Sequence, residues 1–97
     1  MTQEEAIRSI AESPLFDGDW YKARYPDVAE LDMDPARHYL LYGGPLGRAA
    51  SPGFCGQSYL DANEDVANAG HNPLLHYLQF GQAEGREAFP VQDKPPS

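Results

Sequence analysis

Cysteine occurs once in the 97 residues, as Cys55, so neither an intrachain disulfide framework nor a cysteine zinc knuckle can form. A lone cysteine suits a reducing compartment. Long apolar runs are missing as well: no stretch approaches the roughly 20 residues that a membrane span requires. Basic residues are scarce, 7 Lys and Arg against 15 Asp and Glu, for a formal net charge of −8. Such a surface repels phosphate backbones and anionic lipid. No basic stripe with interleaved aromatics is present, so nucleic acid is not expected as a partner. The opening Met1-Thr2-Gln3-Glu4-Glu5 is acidic where a secretory signal is basic and then apolar. The expected location is cytoplasmic, or peripheral at the inner membrane through a partner.

What is present is a sentence written twice. Ser13-Pro14-Leu15-Phe16-Asp17-Gly18-Asp19-Trp20-Tyr21 returns 38 residues later as Ser51-Pro52-Gly53-Phe54-Cys55-Gly56-Gln57-Ser58-Tyr59. Asp27-Val28-Ala29 falls on Asp65-Val66-Ala67, Pro35 and His38-Tyr39-Leu40 on Pro73 and His76-Tyr77-Leu78, and Gly43, Gly47 and Arg48 on Gly81, Gly85 and Arg86. Residues 13–48 and 51–86 share 15 identities in 36 positions, where unrelated segments share roughly two at ordinary residue frequencies. A regular duplication of this kind reports architecture, because each unit needs its neighbour to complete a core. With 41% hydrophobic and 11% aromatic residues the chain has the material for that core.

Local signals divide the chain. Thr2 with Glu5 forms a capping-box pattern, and Ala6, Ile7, Ile10 and Ala11 follow at helical spacing. A helix over 3–12 therefore precedes the repeats and ends at Ser13-Pro14. Each copy then holds three short helices. Asp17 caps one carrying Trp20, Tyr21 and Arg24, matched by Gly56 to Ala62. A brief helical turn carries Asp27-Val28-Ala29 or Asp65-Val66-Ala67. Asp34-Pro35 and Asn72-Pro73 open the third, with an Asx cap and proline in the first turn. Gly43 and Gly81 are expected to close it in left-handed geometry. Ala36/Tyr39/Leu40 and Leu74/Tyr77/Leu78 make its inward stripe. The expectation is an all-α domain of two tandem ~38-residue repeats of short helices, with almost no strand. Its divisions are an N-terminal helix (1–12), repeat one (13–50), repeat two (51–88) and a disordered tail (89–97), with 13–88 compact. Helices this short are unstable alone in water and need packing against the sister copy.

The pattern F-D-x-x-W/Y-Y-L-x-x-Y/N-P-D-V-A-x-A-G-x-D-P-L-x-H-Y-L-x-x-G-x-x-E-G-R-x-P resembles a tandem repeat attached to bacterial glycosyltransferases and other polysaccharide-biosynthesis proteins, and found in some large bacterial surface proteins. The likeness covers 13–52 and 51–90. It implies an accessory role beside varied catalytic domains, none of which this chain is long enough to hold. Gly44-Pro45-Leu46 departs from the pattern before Gly47-Arg48, and Asn63-Glu64 stands where Tyr25-Pro26 keeps the common form.

Among chemistry-bearing residues, His38 and His76 each lie one turn before an aromatic ring, Tyr42 or Phe80. Their spacing supplies no zinc set, so they read as structural, bonded to a carboxylate or backbone carbonyl between helices; metal or catalytic use is the alternative. Asp27 with Arg48, and Asp65 with Arg86, read as guanidinium clamps on the linking turn, or alternatively as ligand-binding arginines. Asp17, Asp19, Asp32 and Asp34 miss the EF-hand spacing and read as caps and solvated faces. No arrangement suggests nucleophilic catalysis, and no metal or cofactor is expected. Phe16/Phe54, Tyr21/Tyr59 and Tyr39/Tyr77 read as core. Trp20 and Tyr25, unique to the first copy, read as contact surface, with Tyr42, Phe80, Arg48 and Arg86 as further binding candidates; Asp34 and Asn72 are structural caps. The functional expectation is a non-enzymatic module that docks a protein partner or an adjoining catalytic domain, with binding of a bacterial polysaccharide as the alternative.

Overall fold

A computed structural model describes residues 2–91. The fold is all-α, with a single two-stranded pairing among the described residues. Helix α1 (Gln3–Glu12) starts at Thr2, whose hydroxyl accepts the Glu5 amide at 3.2 Å, and buries Ala6 and Ile10. In the first copy α2 (Gly18–Arg24) is capped by the Asp17 carboxylate, α3 (Pro26–Glu30) starts on proline, and α4 (Pro35–His38) is capped by Asp34. The second copy supplies α5 (Gly56–Ala62), α6 (Glu64–Ala69) and α7 (Pro73–His76), the last capped by Asn72. Gly70 ends α6 at φ 73°, and Asp32, at the matching place in the first copy, is also left-handed at φ 50°.

One expectation about the backbone needs correction. The third helix of each copy does not close on a left-handed glycine. It widens into a π-helical turn, Tyr39–Gly43 and Tyr77–Gly81, in which the Gly44 and Gln82 amides donate to the Tyr39 and Tyr77 carbonyls at 2.8 Å. Gly43 and Gly81 are there for space: a Cβ on either would run into the hydroxyl of Tyr21 or Tyr59. The left-handed glycines come four residues later, Gly47 (φ 79°) and Gly85 (φ 77°). Almost no strand is present, as expected: among the described residues the one pairing is a short antiparallel one, β1 (Ala49–Ser51) with β2 (Phe54–Cys55), across the Pro52-Gly53 turn. Ala49, Ala50 and Ser51 are all buried, so this junction between copies threads the centre of the molecule on small side chains.

One continuous core joins the halves: Ile10 from α1, Tyr21, Val28, Ala36 and Tyr39 from the first copy, Phe54, Tyr59, Val66 and Leu74 from the second. Its aromatic centre is a ring triangle that occurs twice. Phe16, Tyr21 and Tyr39 have centroids 5.7–5.8 Å apart, and Phe54, Tyr59 and Tyr77 5.4–5.8 Å, each with one edge-on tyrosine pair. Tyr39 is fully buried whereas Tyr77 is half-buried, because α7 covers the first and no matching helix among the described residues covers the second. The tail expected over 89–97 is not free at its start. Phe89 packs on the core and accepts the Cys55 amide at 2.7 Å, and the Val91 amide donates to Pro52 at 2.8 Å. Residues 92–97 of that expectation lie outside the described residues.

Candidate functional site

Each copy builds one polar chain on its aromatic triangle. The helix through Tyr21 and the helix through His38 are packed so that the phenol lies 2.9 Å from Nδ1, and Tyr59 repeats the distance to His76. The expected partner of these histidines was a carboxylate or carbonyl; a tyrosine hydroxyl takes its place, because the π-helical turn and its glycine open room for the phenol beside the ring. Burial pushes Tyr21 and Tyr59 up to about 12, so both stay protonated. Burial, and then the guanidinium of Arg48 or Arg86, holds His38 and His76 below the ordinary histidine range. Both members of each pair are therefore neutral at pH 7. A guanidinium has only donors, so with Arg48 against the Tyr21 hydroxyl the arrangement that satisfies all three groups has the phenol donating to Nδ1 and the imidazole proton assigned to Nε2.

The arginines close on their aspartates in the fork geometry that the retained Asp27/Arg48 and Asp65/Arg86 imply. Arg48 donates to both Asp27 oxygens at 3.1 and 2.9 Å, and Arg86 to both Asp65 oxygens at 3.2 and 3.1 Å. The hydrogen bonds, with the cations' charge, hold both carboxyls below their usual range. Tyr25 belongs to this clamp and not to an open contact surface. Its ring lies 4.6 Å under the Arg48 guanidinium, and its hydroxyl accepts the Ala49 amide at 2.9 Å. In the second copy Asn63 stands in its place and its Oδ1 takes Arg86 at 2.7 Å, while Glu84 takes Arg86 Nε at 3.0 Å. The departure from the repeat pattern is thus a change of partner for the same arginine. Trp20 is half-buried with the Arg24 guanidinium 5.4 Å from its ring.

Tyr42 and Phe80 are 50% and 55% exposed at matching positions, packed at a tilt against His38 and His76 with ring centroids 5.4 and 5.6 Å apart. A cleft of about 440 Å³ lies where α1 crosses both third helices, walled by Leu40, Leu41, Pro45 and Leu75 and rimmed by polar groups including Thr2 and His71. Sequence reasoning missed this cleft. Leu41 and Leu75 fall off the inward stripe and differ between copies, and nothing in the helical periodicity says that α1 lies across both. Among the described residues no group of three His, Cys, Asp or Glu side chains is placed to hold a metal ion, and no helix is long and apolar enough to cross a membrane. Comparison with protein-family models, curated proteins and solved structures gives no match.

Proposed function

We propose that the chain is a non-catalytic docking module of a bacterial polysaccharide-biosynthesis or glycosyltransferase system, and that its cleft takes an apolar anchor from a basic segment of a partner protein. The observation that carries this reading is the contrast between locked and open groups. His38, His76, Arg48, Arg86 and Tyr25 are spent on internal contacts, which leaves shape as the product. What faces outward is an apolar-walled cleft on a molecule of net charge −8. An apolar wall with a polar rim is the anatomy of a protein contact, and the acidic surface favours a cationic partner. The placement beside polysaccharide enzymes rests on the repeat pattern of the sequence.

Peptide display on the immobilised chain tests the reading. Enriched peptides should carry one large apolar residue flanked by Lys or Arg. Their binding should weaken with salt and fall at least tenfold in Leu41→Asp. Peptides without that composition, or binding that ignores Leu41→Asp in a folded variant, would argue against the cleft. A carbohydrate reading keeps one specific support, the exposed Tyr42 and Phe80 platforms at matching positions. NMR shifts confined to those rings on adding a bacterial glycan would favour it over peptide docking.

A further inference from the structure

We infer that the chain is a self-limited pair: the join that seats the second copy on the first is closed to any further chain by Asp34 at one open end and Gln82 at the other. The join itself is specific. Asn72 uses both halves of its amide, Oδ1 accepting the Leu75 amide at 3.1 Å to cap α7, and Nδ2 donating to the Tyr39 and Leu40 carbonyls at 3.1 and 3.4 Å. Gly44 lies under it, where a Cβ would collide with the Asn72 amide and sit 2.8 Å from its Cγ. Beside this, the Gln57 amide donates to the Gly47 carbonyl at 3.0 Å. A Cβ on Gly56 would come within 2.6 Å of the Arg48 carbonyl oxygen. The end of one copy thus meets the starts of α5 and α7 of the other, a head-to-tail contact of the kind that can propagate.

Most of its parts are present again on the two open ends. At matching positions the second copy ends in Tyr77, Leu78, Gly81 and Gly85, and the first begins with Gly18 and Pro35. Two parts are changed. Asp34 stands for Asn72; its carboxylate caps α4 through the Arg37 amide equally well, but it has no hydrogen to offer a carbonyl. Docked as Asn72 is, it would bury a negative charge against two carbonyl oxygens. Gln82 stands for Gly44 and puts side-chain atoms where the join has room for none. Both side chains are exposed, and asparagine would keep the cap that Asp34 gives α4, so neither identity is required by the fold in which it sits.

Exchanging residues between join and ends tests this. Asn72→Asp and Gly44→Gln carry the end residues into the join and should each lower Tm by about 10 °C or more. Asp34→Asn and Gln82→Gly should each shift it by no more than a few degrees. Sedimentation velocity should find the native chain at the mass of one chain up to millimolar concentration. The double variant Asp34→Asn/Gln82→Gly, folded by circular dichroism, should grow in mass with concentration. A native chain that already assembles head to tail, a double variant that stays at one chain's mass, or join variants as stable as the end variants would overturn the inference.

Discussion

The Tyr21 hydroxyl stands 2.9 Å from Nδ1 of His38, and the Tyr59 hydroxyl stands at the same distance from Nδ1 of His76. The two pairs share their chemistry but not their surroundings, since His38 is buried and His76 half-buried. Removing the phenol oxygen leaves an imidazole nitrogen unpaired, and the penalty depends on whether water can replace the partner. Tyr21→Phe should therefore destabilise by about 1–2 kcal/mol and Tyr59→Phe by less, in urea unfolding. The ionisation of both phenols tests the same burial. Their folded values lie near 12 against an ordinary 10, so the unfolded chain loses these protons first. Their contribution to stability is full below pH 10 and falls as pH climbs from 10 to 12, with phenolate absorbance appearing late for both residues.

His38 and His76 are held low by burial first and by neighbouring cations second, so the unfolded chain binds protons before the folded one does. Their contribution is complete above about pH 6.5 and is lost below it, as pH falls through their lower folded values. Asp27 and Asp65, lowered by their arginine hydrogen bonds, behave oppositely in charge but alike in direction, losing their contribution below about pH 4. Denaturation midpoints against pH should show two acid steps. His38→Gln/His76→Gln should flatten the upper step and leave the lower; an unchanged upper step would mean that the imidazoles are not neutral in the fold.

Much of the backbone was legible because it is set by local rules. Thr2, Asp17, Asp34 and Asn72 accept amides at helix starts, as short polar side chains before helical runs do, and Pro35 and Pro73 mark first turns. The π-helical turn was not legible, since Ala36, Tyr39 and Leu40 keep the same apolar spacing whether Gly43 ends a helix or widens it. The reason for Gly43 lies 22 positions away in the Tyr21 hydroxyl. Tyr25 was misread for the same reason. A ring present in only one copy looks like a surface addition, and only the path of the chain reveals Arg48 above it.

Tyr39 poses the reverse case to Tyr21. It is fully buried between the copies, and its hydroxyl faces the Leu74 amide without closing a hydrogen bond, an orphan among the described residues. A buried hydroxyl without a partner costs free energy that phenylalanine avoids at nearly the same shape. Tyr39→Phe should be neutral or stabilising by up to about 1 kcal/mol. Loss of more than that in equilibrium unfolding would show that the hydroxyl holds α7 in place.

The tightest packing constraint on the site is steric, and a double-mutant cycle isolates it. A Cβ on Gly43 would overlap the Tyr21 hydroxyl and sit 3.1 Å from its Cζ, and Gly81 stands in the same relation to Tyr59. Both atoms belong to a ring fixed on every side by Phe16, Tyr25, His38 and Tyr39, so it has nowhere to move. Overpacking of this kind costs about 1–3 kcal/mol, and Gly43→Ala should fall in the upper half of that range. Deleting the hydroxyl first removes the worst overlap but leaves the ring carbon. Added to Tyr21→Phe, Gly43→Ala should therefore cost less than it does alone, a coupling of about 1 kcal/mol or more. Gly81→Ala should cost less than Gly43→Ala, because Tyr77 and His76 around Tyr59 are half-buried and can shift. Strict additivity of Tyr21→Phe and Gly43→Ala would mean that the glycine serves the π-helical turn and not the phenol.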